Sequence, residues 1–198
     1  MPRKIIEVIG IILCLGVISC NLFKTRTPDE PSQQSSNYTP PTEPSLVFQN
    51  MVNAFHDMNT VNYLRSFADT VSSDFVFAFE PTPQARLRYS SSFIEWTKLS
   101  EQQYFTALLS KLQTGASPTL EFLTLTPQGT TSDSIQYEAT YRLTVPLTQS
   151  NIPTQIQGSA QFFLVSDRSR NWVIRRWDDF AQNQNDFTWS DLKGSFAQ

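Results

Sequence analysis

Cysteine is almost missing from this chain. Of 198 residues only Cys14 and Cys20 are cysteines, both within the first twenty. Beyond that point disulfide support and thiol chemistry are excluded. His56 is the sole histidine, so a zinc site of the usual nitrogen and sulfur ligands cannot be assembled. Glycine after residue 20 is confined to Gly115, Gly129, Gly158 and Gly194, and no P-loop, dinucleotide fingerprint or G-x-S-x-G elbow is present. Acidic pairs such as Asp178-Asp179 lack an EF-hand framework and read as solvated, so neither metal nor cofactor is expected. Cationic excess is lacking too: 15 Lys and Arg stand against 18 Asp and Glu, with no basic run. Nucleic acid is therefore not an expected partner, and docking to anionic headgroups through charge is disfavoured. Aromatic residues are plentiful. Fifteen Phe, six Tyr and four Trp in a 39% apolar chain can build a core and exclude disorder for the chain as a whole.

The start of the chain has its own logic. Arg3 and Lys4 precede a run from Val8 to Ile18 that is apolar apart from Gly10 and Gly16. That run is shorter than the roughly 20 residues needed to span a bilayer and suits a signal-peptide core. It ends in Val17-Ile18-Ser19-Cys20, which resembles the bacterial lipobox. The resemblance implies removal of residues 1–19, a diacylglyceryl group on the Cys20 thiol and acylation of the new amino terminus. One acyl chain binds marginally, whereas two or more, at about 0.8 kcal/mol per buried methylene, anchor stably. Cys20 is thus the expected lipid attachment and the membrane the expected partner. Asn21 differs from the Asp resembling an inner-membrane retention signal, which favours the outer membrane if the cell is Gram-negative. The domain would then face the periplasm or the exterior. Cleavage would leave 13 cationic and 17 anionic side chains.

Residues 20–44 read as a flexible tether. Between 21 and 44 lie five prolines and seven Ser or Thr, with Leu22, Phe23 and Tyr38 the only large apolar side chains. Such a segment cannot bury enough to offset its ordering entropy. As a coil it spans about 25–30 Å.

Residues 45–198 are expected to form one domain. Val47, Met51, Ala54, Phe55 and Met58 recur at helical spacing from Ser45 to Asp57. Asn59 or Thr60 can cap a short helix that buries Val61, Leu64, Phe67 and Ala68. Asp74–Phe79, with three Phe at period two, predicts a strand. Residues 81–99 look irregular. Ser100 with Gln103 predicts a capping box for a helix to Leu112 that buries Tyr104, Leu108 and Leu112. Strands are expected at Leu120–Thr126, Ile135–Leu147, Ile156–Ser166 and Asn171–Phe180, with a Pro127-Gln128-Gly129 turn and a polar turn at 167–170. In the second of these, Tyr137, Ala139, Tyr141, Leu143 and Val145 share one face. Tight turns between long strands imply an antiparallel meander.

This α+β order, with Asp74-Phe75-x-Phe77 after the helices and Trp172-x-Ile174-x-x-Trp177-x-Asp179 near the end, resembles the nuclear transport factor 2-like superfamily over about residues 45–180. The superfamily includes ketosteroid isomerase-like and SnoaL-like proteins. The resemblance implies a cone in which a curved antiparallel sheet wraps the N-terminal helices. Trp177 breaks the parity of Trp172 and Ile174, so it lies on the outer face or a bulge at Arg175-Arg176 reverses the pleat.

Three functions follow as expectations. A cone lined by Phe77, Phe79, Tyr137 and Tyr141 can hold a small apolar ligand, or those rings simply fill the core. An outer face with Phe163, Val165 and Trp177 can serve a homodimer or an envelope-protein partner, or can lie beneath the segment Phe187–Phe196 with Trp189 and Leu192. An isomerase, lyase or cyclase of the ketosteroid isomerase type needs a carboxylate base and an oxyanion donor. Asp69, Asp74 or Glu138 would supply the base and Tyr63, Tyr137 or Tyr141 the donor. None of these matches that family's catalytic set residue by residue, and His56 beside Asp57 reads as an ordinary helix histidine. The favoured expectation is a lipid-anchored binding or scaffolding domain of the cell envelope with no catalytic residues.

Overall fold

The computed structural model describes residues 37–197. The signal segment and Cys20 lie outside the described residues. Residues 37–43, assigned above to the tether, are hydrogen-bonded to the domain. Thr39 exchanges two bonds with the buried Asn50 side chain (3.0 and 2.7 Å), and the Trp172 amide donates to the Pro41 carbonyl at 2.7 Å. Pro44 then opens helix α1 (Pro44–His56), where its missing N–H costs nothing. α1 buries Val47, Phe48, Met51, Ala54 and Phe55. Met58, expected on that face, instead takes a positive φ of 53° and is half exposed as the chain leaves the helix.

Asn59 caps α2 (Thr60–Leu64) by accepting from the Asn62 amide. The helix buries Asn62 and Tyr63 while Val61 is exposed, contrary to the periodicity, although Phe67 and Ala68 beyond it are buried as expected. A five-residue helix presents too short a stripe for spacing to fix its rotation. Only Ala78–Glu80 of the Phe-rich segment forms a strand, β1. The neighbouring edge of β5 (Trp172–Phe180) is already taken by Ser66 and Ala68, which bond Ile174 at 2.8 and 2.9 Å, so nothing remains for residues 75–77 to pair with.

The excursion at 81–99 contains a helix, α3 (Pro83–Arg88), capped by Thr82. α4 (Lys98–Ser110) starts before Ser100; its capping box is Thr97 with Ser100 at the third helical position. Leu112 follows the helix and is only partly buried. β2 (Thr119–Thr130) runs through the predicted Pro127 turn; β2 is an edge strand, the position in a sheet where proline is tolerated. Gly129, at φ 45°, sits in a register shift, and the chain reverses at Thr131–Ser134. β3 (Ser134–Thr144), β4 (Gln155–Ser166), β5 and α5 (Trp189–Phe196) complete the domain.

The curved sheet is open and ordered β1-β5-β4-β3-β2. β2 to β5 form the expected antiparallel meander, but β1 joins β5 in parallel, so the sheet is mixed. On β5, Arg176 pairs with Phe163 and Ile174 with Leu164, leaving Arg175 as the extra residue of a bulge. That bulge turns Trp177 to the same side as Ile174, where both are fully buried. Deleting Arg175 restores strict alternation and throws Trp177, Asp179 and the strand end to the wrong face. The expected outcome is loss of the near-ultraviolet circular dichroism of the native core.

Candidate functional site

The four side chains proposed to line a pocket are all buried, and they sit among other aromatic rings. Phe77 meets Phe67 at 4.5 Å, Phe79 meets Trp177 at 5.1 Å, Tyr137 meets Phe48 at 4.9 Å and Tyr141 meets Trp189 at 5.2 Å, all between ring centroids. Trp189 belongs to α5, which enters the concave side of the sheet. Trp177 packs edge-on to it at 4.4 Å. Trp177 is therefore interior and cannot contribute to an outer-face interface. Val165 is also covered, by Ala68, Val173 and Phe75 rather than by the C-terminal segment. Phe163 remains half-buried with the Arg176 guanidinium 5.8 Å from its ring centre. On the same sheet, between Thr124, Thr140, Ser159 and Phe180, lies a shallow trough of about 350 Å³.

Two of the buried carboxylates, Glu101 and Asp179, organise the interior. The Asp178-Asp179 pair, expected from the sequence to be solvated, is buried, and Glu101 was not singled out there. Glu101 on α4 accepts from the Tyr63 hydroxyl (2.8 Å), the Trp96 indole (2.8 Å) and the Lys193 ammonium, all buried. Asp179 on β5 accepts from the Tyr141 hydroxyl (2.7 Å) and from both the amide and hydroxyl of Ser190 (2.8 and 2.6 Å). The Tyr141 oxygen in turn accepts from the Trp189 amide at 2.9 Å, and the Tyr104 oxygen accepts from the Trp189 indole at 2.9 Å. The first two amides of α5, which have no partner within the helix, thus end on a tyrosine and a carboxylate. The negative charge of Asp179 also complements the positive end of the helix dipole.

Electrostatics follow from this burial. Asp179 is raised above the ordinary carboxylate range by desolvation, opposed by the bonds from Ser190 and Tyr141. Desolvation pushes Lys193 down to about 8, with Glu101 opposing. Tyr63, Tyr104 and Tyr141 are held well above 10 by burial and by the neighbouring carboxylates.

The acids nominated from sequence stand elsewhere. Asp69 bonds Lys98 at 2.6 Å, Asp74 bonds Arg168 at 2.6 Å, and Glu138 lies exposed beside Gln161. None touches Tyr63, Tyr137 or Tyr141 by hydrogen bond, whereas Glu101 and Asp179 do. His56 is exposed and 3.0 Å from Asp57. Among the described residues, no three His, Cys, Asp or Glu side chains gather as metal ligands.

Gly158 makes room for this network. A Cβ there would lie 2.3 Å from the Tyr141 oxygen and 3.1 Å from the Phe180 carbonyl. Gly158→Ala should displace the tyrosine. Tyr141→Phe, which strands the Trp189 amide, should lower the unfolding free energy by about 1–3 kcal/mol in urea titration.

Acid should act through Asp69. The bond from Lys98 holds its carboxyl below the ordinary 3.8, so the unfolded chain binds that proton more readily than the folded one. Its stabilisation is present above pH 3.8 and is lost as pH falls below it. Asp69→Asn should flatten the stability profile below about pH 4, measured by urea titration at each pH.

No family model and no curated protein match the chain. Solved structures do. A protein described as a scytalone dehydratase from Novosphingobium aromaticivorans aligns with TM-score 0.55 at 7% identity, over 72% of this chain and 84% of its own. A calcium/calmodulin-dependent protein kinase II association domain from Xanthomonas campestris aligns with TM-score 0.50 at 20% identity, over 71% and 86%. A nuclear transport factor 2-like superfamily protein from Salmonella enterica gives 0.49 at 10%, over 70% and 88%. Identities this low bear on architecture alone. By its mixed curved sheet and its helices the chain has an α+β fold, whose outline is shared by the structures that align at TM-score 0.50 and above.

Proposed function

We propose that this chain is a lipid-anchored, extracytoplasmic domain of the bacterial cell envelope that binds or scaffolds and does not catalyse. The carrying observation is the interior: Glu101 and Asp179 each accept three hydrogen bonds from donors of the chain itself. A general base needs a substrate proton within reach. Here α5 lies where that substrate would enter, with Trp189, Leu192 and Lys193 fully buried. Function then falls to the outer surface, where an envelope protein or a second copy would dock. Anchoring is argued from Val17-Ile18-Ser19-Cys20. Among the described residues no helix is long and apolar enough to cross a membrane.

An isomerase, lyase or cyclase is the second reading. The observation in its favour is the pairing of tyrosine hydroxyl with buried carboxylate at Tyr141–Asp179 and Tyr63–Glu101. It requires α5 to leave.

Both parts are testable. In a Gram-negative host supplied with labelled fatty acid, the full chain should carry label and sediment with outer membrane, and Cys20→Ala should carry none. Unlabelled, soluble wild-type protein would contradict the anchor. With a β,γ-unsaturated ketone the purified protein should give no isomerisation above buffer. Turnover that Asp179→Asn abolishes would establish the second reading instead.

A further inference from the structure

Lys193 has an unusual setting for a lysine. Its side chain is fully buried, and four aromatic rings surround its ammonium. The nitrogen lies 3.8 Å from the centre of the Trp177 ring, 4.0 Å from Phe79, 5.4 Å from Trp96 and 5.6 Å from Tyr104. These rings come from β5, β1, the loop before α4, and α4, and they touch one another: Phe79 is 5.1 Å from Trp177 and 5.7 Å from Trp96. Glu101 supplies the counter-charge, itself oriented by Tyr63 and Trp96. Aromatic faces carry negative potential, and several around one point attract a cation most strongly where water is excluded. A site for an apolar side chain would need no carboxylate.

We propose that this aromatic enclosure is an ammonium-binding site, and that Lys193 of the chain's own C-terminal helix is its resident ligand. Recognition of the cation docks α5 into the cone. Gly194 fixes how the helix seats, because a Cβ there would lie 2.4 Å from the Tyr89 ring. A vacated site takes a small primary alkylammonium ion. The inference does not depend on the envelope role.

The test is chemical rescue in the full-length chain. Lys193→Ala should lower Tm by about 10 °C, as expected for an orphaned buried carboxylate in a domain of this size. n-Butylammonium chloride should restore much of that loss saturably, while 1-butanol at equal concentration should not. Rescue should vanish in the Glu101→Gln, Lys193→Ala double variant. Equal rescue by both additives would show that volume alone matters, and rescue by neither would remove the site; either result overturns the proposal. If Lys193→Ala does not fold unaided, the additives are supplied during refolding, and recovery must again be specific to the amine. In the unaltered protein, ring currents should move the Lys193 Hε protons well upfield of other lysines. Random-coil values there would also overturn it.

Discussion

A helix end and a charged lysine can enter an aromatic interior only if their polar groups find partners there. The structure meets that constraint with two carboxylates. Asp179 receives the start of α5 and Glu101 receives its Lys193. Burying a charge unpaired costs several kcal/mol, so each acid requires its partner as much as the partner requires the acid. Much else is arranged around this condition. The Arg175 bulge places Trp177 and Asp179 on the concave face. Gly158 leaves space for the Tyr141 hydroxyl, and Gly194 lets α5 lie against Tyr89.

The same condition bears on what the cone can do. An open cone of this shape offers a concave, partly apolar site of the kind small molecules use. Here Trp189, Leu192 and Lys193 occupy the region that such a site would need. The tyrosine–carboxylate pairs resemble acid–base equipment when viewed singly. Viewed with their other bonds, they are the saturated ends of a docking interaction. On the outer surface, where a partner of the proposed kind would dock, Phe180 lines a shallow trough.

Much of the fold was legible in the sequence because β3 and β4 are long and their burial alternates cleanly. Short elements were not: the rotation of α2, the length of β1 and the existence of α3 depend on tertiary neighbours that local pattern cannot see. Pro127 misled because a turn residue and an edge-strand residue look alike without the sheet order. The polar interior was partly readable. Glu101 lies three residues before Tyr104 and seven before Leu108, on the buried stripe of α4, and Asp179 shares alternation with Trp177. An acid in register with core residues signals a buried partner. The acids chosen from sequence lay in loops or on the opposite strand face, where solvent and arginine or lysine neighbours satisfy them. What that signal could not supply was the partner, since α5 lies some ninety residues from Glu101 and its eight residues carry little pattern of their own.

The central claim is that α5 is integral to the core rather than a cover over a pocket. Native-state hydrogen exchange of the amides from Leu192 to Phe196, followed against denaturant, tests it most directly. The account predicts that they exchange only through global unfolding, with the same free energy and denaturant slope as the central strands β3 and β4. Exchange through a smaller, denaturant-insensitive opening while those strands stay protected would contradict it, and would mean that the helix leaves the cone on its own.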